Sequence, residues 1–265
     1  MKIGVVGAAG RMGQMLVREI VAASGAAFAG GTENPSGAFI GRDAGEVAGI
    51  GALQAKIGAD PRALFAASDA VIDFSAPAAT RAHANLAAEF GKTLVVGTTG
   101  LSADDQTVLA RAAENCAIVQ AANFSLGVNL ALALVEEAAK RLGADYDIEI
   151  FEAHHKHKVD APSGTALALG RAAGAGRGID FATQTIRSRD GHTGPRPVGP
   201  IGFSVARGGS EIGEHTVMFF GDGERVEIAH KAQGRQVYSK GAVRAALWAA
   251  GKPPGLYSMR DVLGL

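Results

Sequence analysis

Fourteen residues, Glu152-Ala153-His154-His155-Lys156-His157-Lys158-Val159-Asp160-Ala161-Pro162-Ser163-Gly164-Thr165, hold the densest chemistry in the chain. Three histidines and two lysines occupy the five positions 154 to 158, and Ser163-Gly164-Thr165 has the composition of a helix start with Ser163 as its cap. Like charges this close repel unless an anion neutralises them. The helix N-terminus just beyond offers backbone N–H groups and the positive end of a dipole. Together they describe a receptor for a small, multiply charged anion, with proton donors already beside it. Histidine titrates near neutrality. Crowding by Lys156 and Lys158 favours the neutral imidazole in the free protein, and a bound dianion favours the protonated donor. Asp160 reads as an orienting partner of Lys158, and His157 as a structural or generic charge. Clustered histidines also raise the question of zinc. The segment lacks partner cysteines and a well-spaced carboxylate, and its lysines repel a dication, so no metal site is expected.

A second constellation opens the chain. Gly7-Ala8-Ala9-Gly10-Arg11-Met12-Gly13 follows a strand-like run, Lys2 to Val6, and begins a helical pattern, Arg11 to Ala23. The G-x-x-G-x-x-G spacing is a shifted dinucleotide fingerprint, in which small residues let backbone approach a pyrophosphate at a helix N-terminus. Glu33 ends the next strand-like run, Ala27 to Gly31, where a carboxylate accepts hydrogen bonds from an adenosine ribose. Gly97-Thr98-Thr99 and Ala121-Ala122-Asn123-Phe124 fall at the ends of two further strands, where ligands bind in open parallel sheets.

These sites need a scaffold, and the pattern supplies one. Ala70 to Phe74, Thr93 to Val96 and Ala117 to Gln120 are short apolar runs, with a helical pattern at Ala78 to Phe90 between the first two. Apolar strands separated by helices predict a parallel sheet buried on both faces. The second half differs. A helix over Val128 to Leu142, with Leu130, Leu134, Val135, Ala138 and Leu142 as its core stripe, precedes a strand at Ile148 to Phe151. A helix at Thr165 to Ala173 follows, then strands at Gln184 to Arg189, Ile201 to Ala206, His215 to Phe220 and Glu224 to Ala229. A last helix, Val237 to Ala250, returns to the first domain. The expected class is α/β: a Rossmann-like parallel-sheet cofactor domain (1–125 plus 235–265) and an α+β substrate and oligomerisation domain with a mixed sheet (126–234). The chain would cross between them near Asn123 to Gly127 and Gln233 to Gln236, and closure of the two would exclude water from the reaction.

Within 265 residues, 26 Lys and Arg balance 26 Asp and Glu, so no overall field draws the chain to nucleic acid or an anionic membrane. The single cysteine, Cys116, sits among apolar neighbours as a core thiol and fits a reducing compartment. The apolar start is too short and glycine-broken for a secretory signal, and no apolar stretch is long enough to span a bilayer, so a cytoplasmic location is expected. His83, His192, His215 and His230 are scattered, with no role beyond ordinary surface or core positions.

From residues 7–13, Gly97-Thr98-Thr99-Gly100, Ala122-Asn123-Phe124-Ser125 and 152–166, the chain resembles the 4-hydroxy-tetrahydrodipicolinate reductase (dihydrodipicolinate reductase) family of the diaminopimelate route to lysine, end to end. The resemblance implies a small dicarboxylate substrate, NADH or NADPH as reductant, and a homotetramer. It implies His154 and Lys158 as catalytic, and His155, Gly164 and Thr165 as holding a substrate carboxylate. It implies Gly7, Ala8, Ala9, Gly10, Arg11, Met12, Glu33, Gly97, Thr98, Thr99, Ala121, Ala122, Asn123 and Phe124 as lining the cofactor. One feature departs. Family members carry an arginine after the ribose-binding acid, where this chain has Asn34, so NADH is expected to serve at least as well as NADPH. Another small-acid dehydrogenase, or a non-catalytic NAD(P)-sensing protein, are the alternatives to this reading.

Overall fold

Short β-branched and apolar runs alternate with amphipathic helices through the first 120 residues, and each run forms a strand whose side chains point to both faces. A computed structural model describes all residues, Met1–Leu265. In chain order it contains β1 (Lys2–Val6), α1 (Arg11–Ala22), β2 (Ala27–Thr32), α2 (Ala44–Ala48), α3 (Pro61–Ala67), β3 (Ala70–Asp73), α4 (Pro77–Phe90), β4 (Thr93–Val96), α5 (Ala103–Ala112) and β5 (Ala117–Gln120). Then come α6 (Leu126–Leu142), β6 (Asp147–His154), α7 (Gly164–Arg177), β7 (Thr185–Ile186), β8 (Ile201–Arg207), β9 (Glu214–Gly221) and β10 (Glu224–Lys231). The chain closes with α8 (Gln236–Trp248), β11 (Gly255–Tyr257) and α9 (Met259–Leu263). It divides into two compact units, Met1–Leu126 with Gln236–Leu265, and Gly127–Arg235. No helix is long and apolar enough to cross a membrane.

The first unit holds a six-stranded sheet in the order β11-β5-β4-β3-β1-β2, with every pairing parallel. The strands are buried on both faces, so their residues alternate between two cores. Ile3, Val5, Ile72, Val95 and Val119 join α1 and α8 on one side, while Val6, Val71, Leu94, Val96 and Ile118 join α3, α4 and α5 on the other. Chain order reverses between β1 and β3, a topological switch point, and the loops after those strands bear the glycine fingerprint and Ser75. Short helices α2 and α3 and the longer α5 escape the apolar pattern, but their start signals were present: Asp43, Asp60 and Ser102 each cap the first turn, and Pro61 opens α3. Cys116 is buried and its thiol is pushed up to about 11 by that burial, as befits an inert core residue.

The second unit is built on a five-stranded mixed sheet, β10-β9-β6-β8-β7, antiparallel across β10-β9-β6 and parallel across β6-β8-β7. Helices α6 and α7 cover its inner face through Val135, Ala139, Ala166, Leu169 and Ala173, packed on Ile148, Ile150, Val217 and Phe219. Two expectations need correction here. The core face of α6 is Val128, Ala131, Val135 and Ala139, whereas Leu130 and Leu134 are exposed. The small alanines set that face because they let the helix lie close to its neighbours: in α7, a Cβ on Gly176 would come 2.1 Å from the carbonyl oxygen of Glu136. The strand expected over Gln184 to Arg189 shrinks to Thr185–Ile186. Beyond it Arg189 and Arg196 both turn to Glu149, at 2.7 and 2.9 Å, and tie the loop by ion pairs instead of a ladder.

In α8 the buried face is Gly241, Ala242, Ala245, Ala246 and Ala249, and a Cβ at Gly241 would lie 1.7 Å from the carbonyl oxygen of Phe124. The returning helix is therefore held against the strand-end segment 121–124 by the absence of a side chain. Gly241→Ala should force a backbone shift costing about 2 kcal/mol, seen in a thermal melt as a fall in Tm on the order of 5 °C.

Candidate active site

Alternation along β6 decides which residues of the histidine cluster meet. Its burial pattern puts Ile148, Ile150, Glu152 and His154 on the inner face, so the last two stand one above the other at the strand's end. Cross-strand register adds His215 of β9 opposite Glu152 and Arg207 of β8 opposite His154. Glu152 is fully buried, and each of its carboxylate oxygens accepts two hydrogen bonds. Oε2 accepts from His154 Nδ1 at 2.5 Å and Arg207 Nη1 at 2.8 Å; Oε1 accepts from Arg207 Nη2 at 2.8 Å and the Ser163 N–H at 2.9 Å. Burial on its own would raise the Glu152 pKa, but the bonds from Arg207, His154 and Ser163 outweigh it and hold the carboxyl below its ordinary value. An ionised carboxylate can only accept, so Nδ1 of His154 carries a proton and Nε2 is the nitrogen left for chemistry. A Cβ on Gly213 would stand 2.9 Å from that Nε2, so glycine keeps its approach clear.

After His154 the chain turns sharply. His155 N–H donates to the Glu211 carbonyl at 2.7 Å and Lys158 N–H to the His155 carbonyl at 3.1 Å, while Lys158 Nζ donates to Asp160 Oδ1 at 2.7 Å. Arg207 Nη2 reaches the Asp160 carbonyl at 2.7 Å and anchors the far end of the turn. Ser163 caps α7 by accepting from the Ala166 N–H at 3.1 Å, leaving Gly164 and Thr165 in the first turn. A Cβ at Gly164 would meet no protein atom within 4 Å. The fold itself does not demand glycine there; a carboxylate approaching the helix N-terminus does. His155 is lowered from its ordinary pKa by burial first, then by Arg235, His157, His154 and Lys158. Its neighbourhood is cationic, as the crowding of residues 154–158 leads one to expect. Lys156 and His157 are exposed, with the His157 ring 6.3 Å from that of His155.

In the first unit, the glycine loop after β1 leads into α1, with Gly7 in the left-handed region at φ +69°. A Cβ at Gly13 would sit 2.0 Å from the Gly7 carbonyl oxygen, and one at Gly31 2.5 Å from the Ala8 Cβ, so helix, loop and β2 approach as closely as backbone allows. Gly10, at the helix cap, supplies no side chain to the first turn, and no acidic residue lies in that turn. Glu33 accepts from the Ala9 N–H at 2.8 Å and so sits against the loop. These features fit a dinucleotide: a dipole end for the pyrophosphate, a backbone surface with no side chains to displace, and a carboxylate at the end of β2 for ribose hydroxyls. At the ends of β4 and β5, Thr98, Thr99, Ala121 and Ala122 line one cavity, together with Gln106 and Gln120.

Two of the cofactor residues serve differently from the expectation. The Phe124 ring is 1% exposed and packs on Phe74 at 5.5 Å between centroids, so it is a core side chain and only its backbone can face a ligand. Thr98 is also buried. Its hydroxyl bonds Thr80 Oγ1 at 2.8 Å and accepts from the Ser75 N–H at 3.1 Å, fastening the loop to its neighbours. Behind it, the fully buried Asp73 accepts from His83 Nδ1 at 2.8 Å and Ser75 Oγ at 2.5 Å. Sequence reasoning passed over Arg207, Arg235 and His215. Arg207 and Arg235 lie far along the chain in unremarkable contexts, and only sheet register made the first a neighbour of His154. The signal for His215 was its inward position in the alternating strand His215 to Phe220.

Family models described as dihydrodipicolinate reductase, N-terminus and C-terminus, match residues 1–124 and 127–263. The chain is 56% identical to 4-hydroxy-tetrahydrodipicolinate reductase 1 of Mesorhizobium japonicum, over 100% of this chain and 97% of that one. It is 54% identical to the 4-hydroxy-tetrahydrodipicolinate reductase of Brucella abortus, over 100% and 99%. Among solved structures, the dipicolinate-bound dihydrodipicolinate reductase from Paenisporosarcina sp. TG-14 superposes with a TM-score of 0.78 at 20% identity, over 97% of each chain, and shares the fold.

His215 makes stability depend on pH. Burial, helped by the nearby His154, pushes it down to about 4, and its Nε2 lies 2.9 Å from Ser163 Oγ. Unfolded, it takes up a proton below about pH 6.5; folded, it does not until about pH 4. Its contribution is therefore whole above pH 6.5 and lost as pH falls between those values. Urea unfolding should show a loss on the order of 2 kcal/mol between pH 7 and pH 4.5, a component that His215→Gln removes.

Proposed function

The chain belongs to the dihydrodipicolinate reductase family, and we propose on that footing that it reduces 4-hydroxy-tetrahydrodipicolinate to tetrahydrodipicolinate with NADH or NADPH in the diaminopimelate route to lysine. The change replaces a ring hydroxyl by hydrogen, so it takes up a hydride and a proton and releases water. When bound along Gly7–Met12, Glu33 and the strand-end loops 97–99 and 121–124, the reduced dinucleotide supplies the hydride. The chain's own residues supply the rest. His154 Nε2, its Nδ1 held by Glu152, gives or takes a proton where charge builds on the substrate. Lys158, aimed by Asp160, is the second proton donor and a cation for the dianion. His155, Gly164 and Thr165 hold a carboxylate at the start of α7. The observation that carries this reading is the juxtaposition at the end of β6: an oriented imidazole, a paired ammonium and an open helix N-terminus around one anion-sized space. The same membership carries a homotetramer and a cytoplasmic location.

Turnover is measured as oxidation of reduced dinucleotide, with the unstable substrate generated in situ from pyruvate and aspartate semialdehyde by the preceding synthase. The expected result is synthase-dependent oxidation. His154→Ala should lower kcat at least tenfold with little change in KM, and Lys158→Ala should lower kcat and raise KM together. Nucleotide binding without turnover would instead favour a sensing protein.

Cofactor choice rests on the end of β2. Glu33 would repel a 2′-phosphate, and the exposed Asn34 spends its Oδ1 on the Ser36 N–H and hydroxyl, at 3.0 and 2.8 Å, so no cation adjoins the ribose acid. At equal concentrations NADH should be used at least as fast as NADPH, and Asn34→Arg should move the kcat/KM ratio toward NADPH by about tenfold. A clear preference of the unaltered protein for NADPH would defeat this assignment.

A further inference from the structure

We propose that Glu152, held ionised by Arg207, is a positioning residue that fixes His154 with Nε2 toward the substrate and ties the carboxylate-binding start of α7 to the same anchor. The inference rests on the catalytic reading of His154 given above. Three geometric facts carry it. Glu152 and His154 share the inner face of β6 and are joined Oε2 to Nδ1 at 2.5 Å. The second oxygen of the same carboxylate accepts from the backbone N–H of Ser163, the cap of α7, at 2.9 Å. Arg207 closes both remaining acceptor positions in a fork-to-fork pair at 2.8 Å and donates on to the Asp160 carbonyl, behind Lys158. A single buried carboxylate thus sets the tautomer of the imidazole, the placement of the helix start and the end of the lysine loop.

An anion beside Nδ1 stabilises the imidazolium and so extends the pH range in which Nε2 can donate. The groups around His154 that also bear on its charge are Arg207 from β8, His215 from β9, and His155 and Lys158 from the turn, with His230 of β10 behind His215. All of these are cationic or neutral, which leaves Glu152 as the anion in contact with the ring. Replacing it by glutamine keeps shape and hydrogen bonding but removes the charge. The consequence is a shift of the protonation range rather than a uniform loss.

The test has two arms. In the unaltered protein, long-range ¹H–¹⁵N correlation of histidine should find His154 protonated at Nδ1, with Nε2 the nitrogen that titrates. The opposite tautomer overturns the proposal whether or not any variant folds. In Glu152→Gln, the alkaline limb of the kcat profile should move to lower pH by about one unit, so that the loss is roughly tenfold greater at high pH than at low pH. Glu152→Asp should recover part of the shift, and a limb that stays in place while kcat falls evenly overturns the proposal. Should His154→Ala retain full kcat, the catalytic reading fails on its own, and the tautomer measurement still reports on Glu152.

Discussion

A fully buried carboxylate is costly unless every lone pair is met, and Glu152 meets that condition with Arg207, His154 and the Ser163 N–H. Removing any one partner would leave the charge under-compensated, so the four groups hold one another in register. Around this point the second unit acquires its function. The sheet face that is apolar at Ile148, Ile150, Val217 and Phe219 becomes polar at its end, where β6, β8 and β9 each contribute one side chain. Desolvation makes each bond there stronger, and with more than one bond at each oxygen the geometry has little freedom.

The first unit solves its own positioning problem in the same way. Asp73 ends β3 fully buried, and although burial would raise its pKa, bonds from His83 and Ser75 hold it below the ordinary value. Through Ser75 and Thr98 it fastens the segment that follows β4, whose outer residues Thr99 and Gly100 stay exposed. In both units a strand delivers an acid to the sheet's end, a histidine satisfies it, and the loop beyond is immobilised for a ligand. Binding loops need such support because their own backbone makes few ladder bonds.

Electrostatics works locally here. The chain is neutral overall, yet its five cationic or titratable residues at 154–158 gather beside Arg235 and face a helix N-terminus. A balanced chain keeps nonspecific polyanions away while a small dianion meets concentrated positive charge at one place. Family membership assigns that dianion its chemistry; the arrangement accounts for why these residues suit it.

Local order was legible wherever a physical rule acts within a few residues. Apolar alternation marked the strands of both sheets, glycine spacing marked the loop after β1, and Ser163 marked the start of α7, because hydrogen-bonding periods and caps are short-range. The sequence by itself therefore determined the two sheets, the dinucleotide fingerprint and the anion-binding segment. It did not show that α6 turns Leu130 and Leu134 outward, since which stripe is buried depends on how closely α7 can approach. Nor did it show that Arg207 and His215 stand beside Glu152, or that Phe124 and Thr98 point inward. Those facts follow from strand register and packing between residues fifty or more positions apart, and only the tertiary structure decides them.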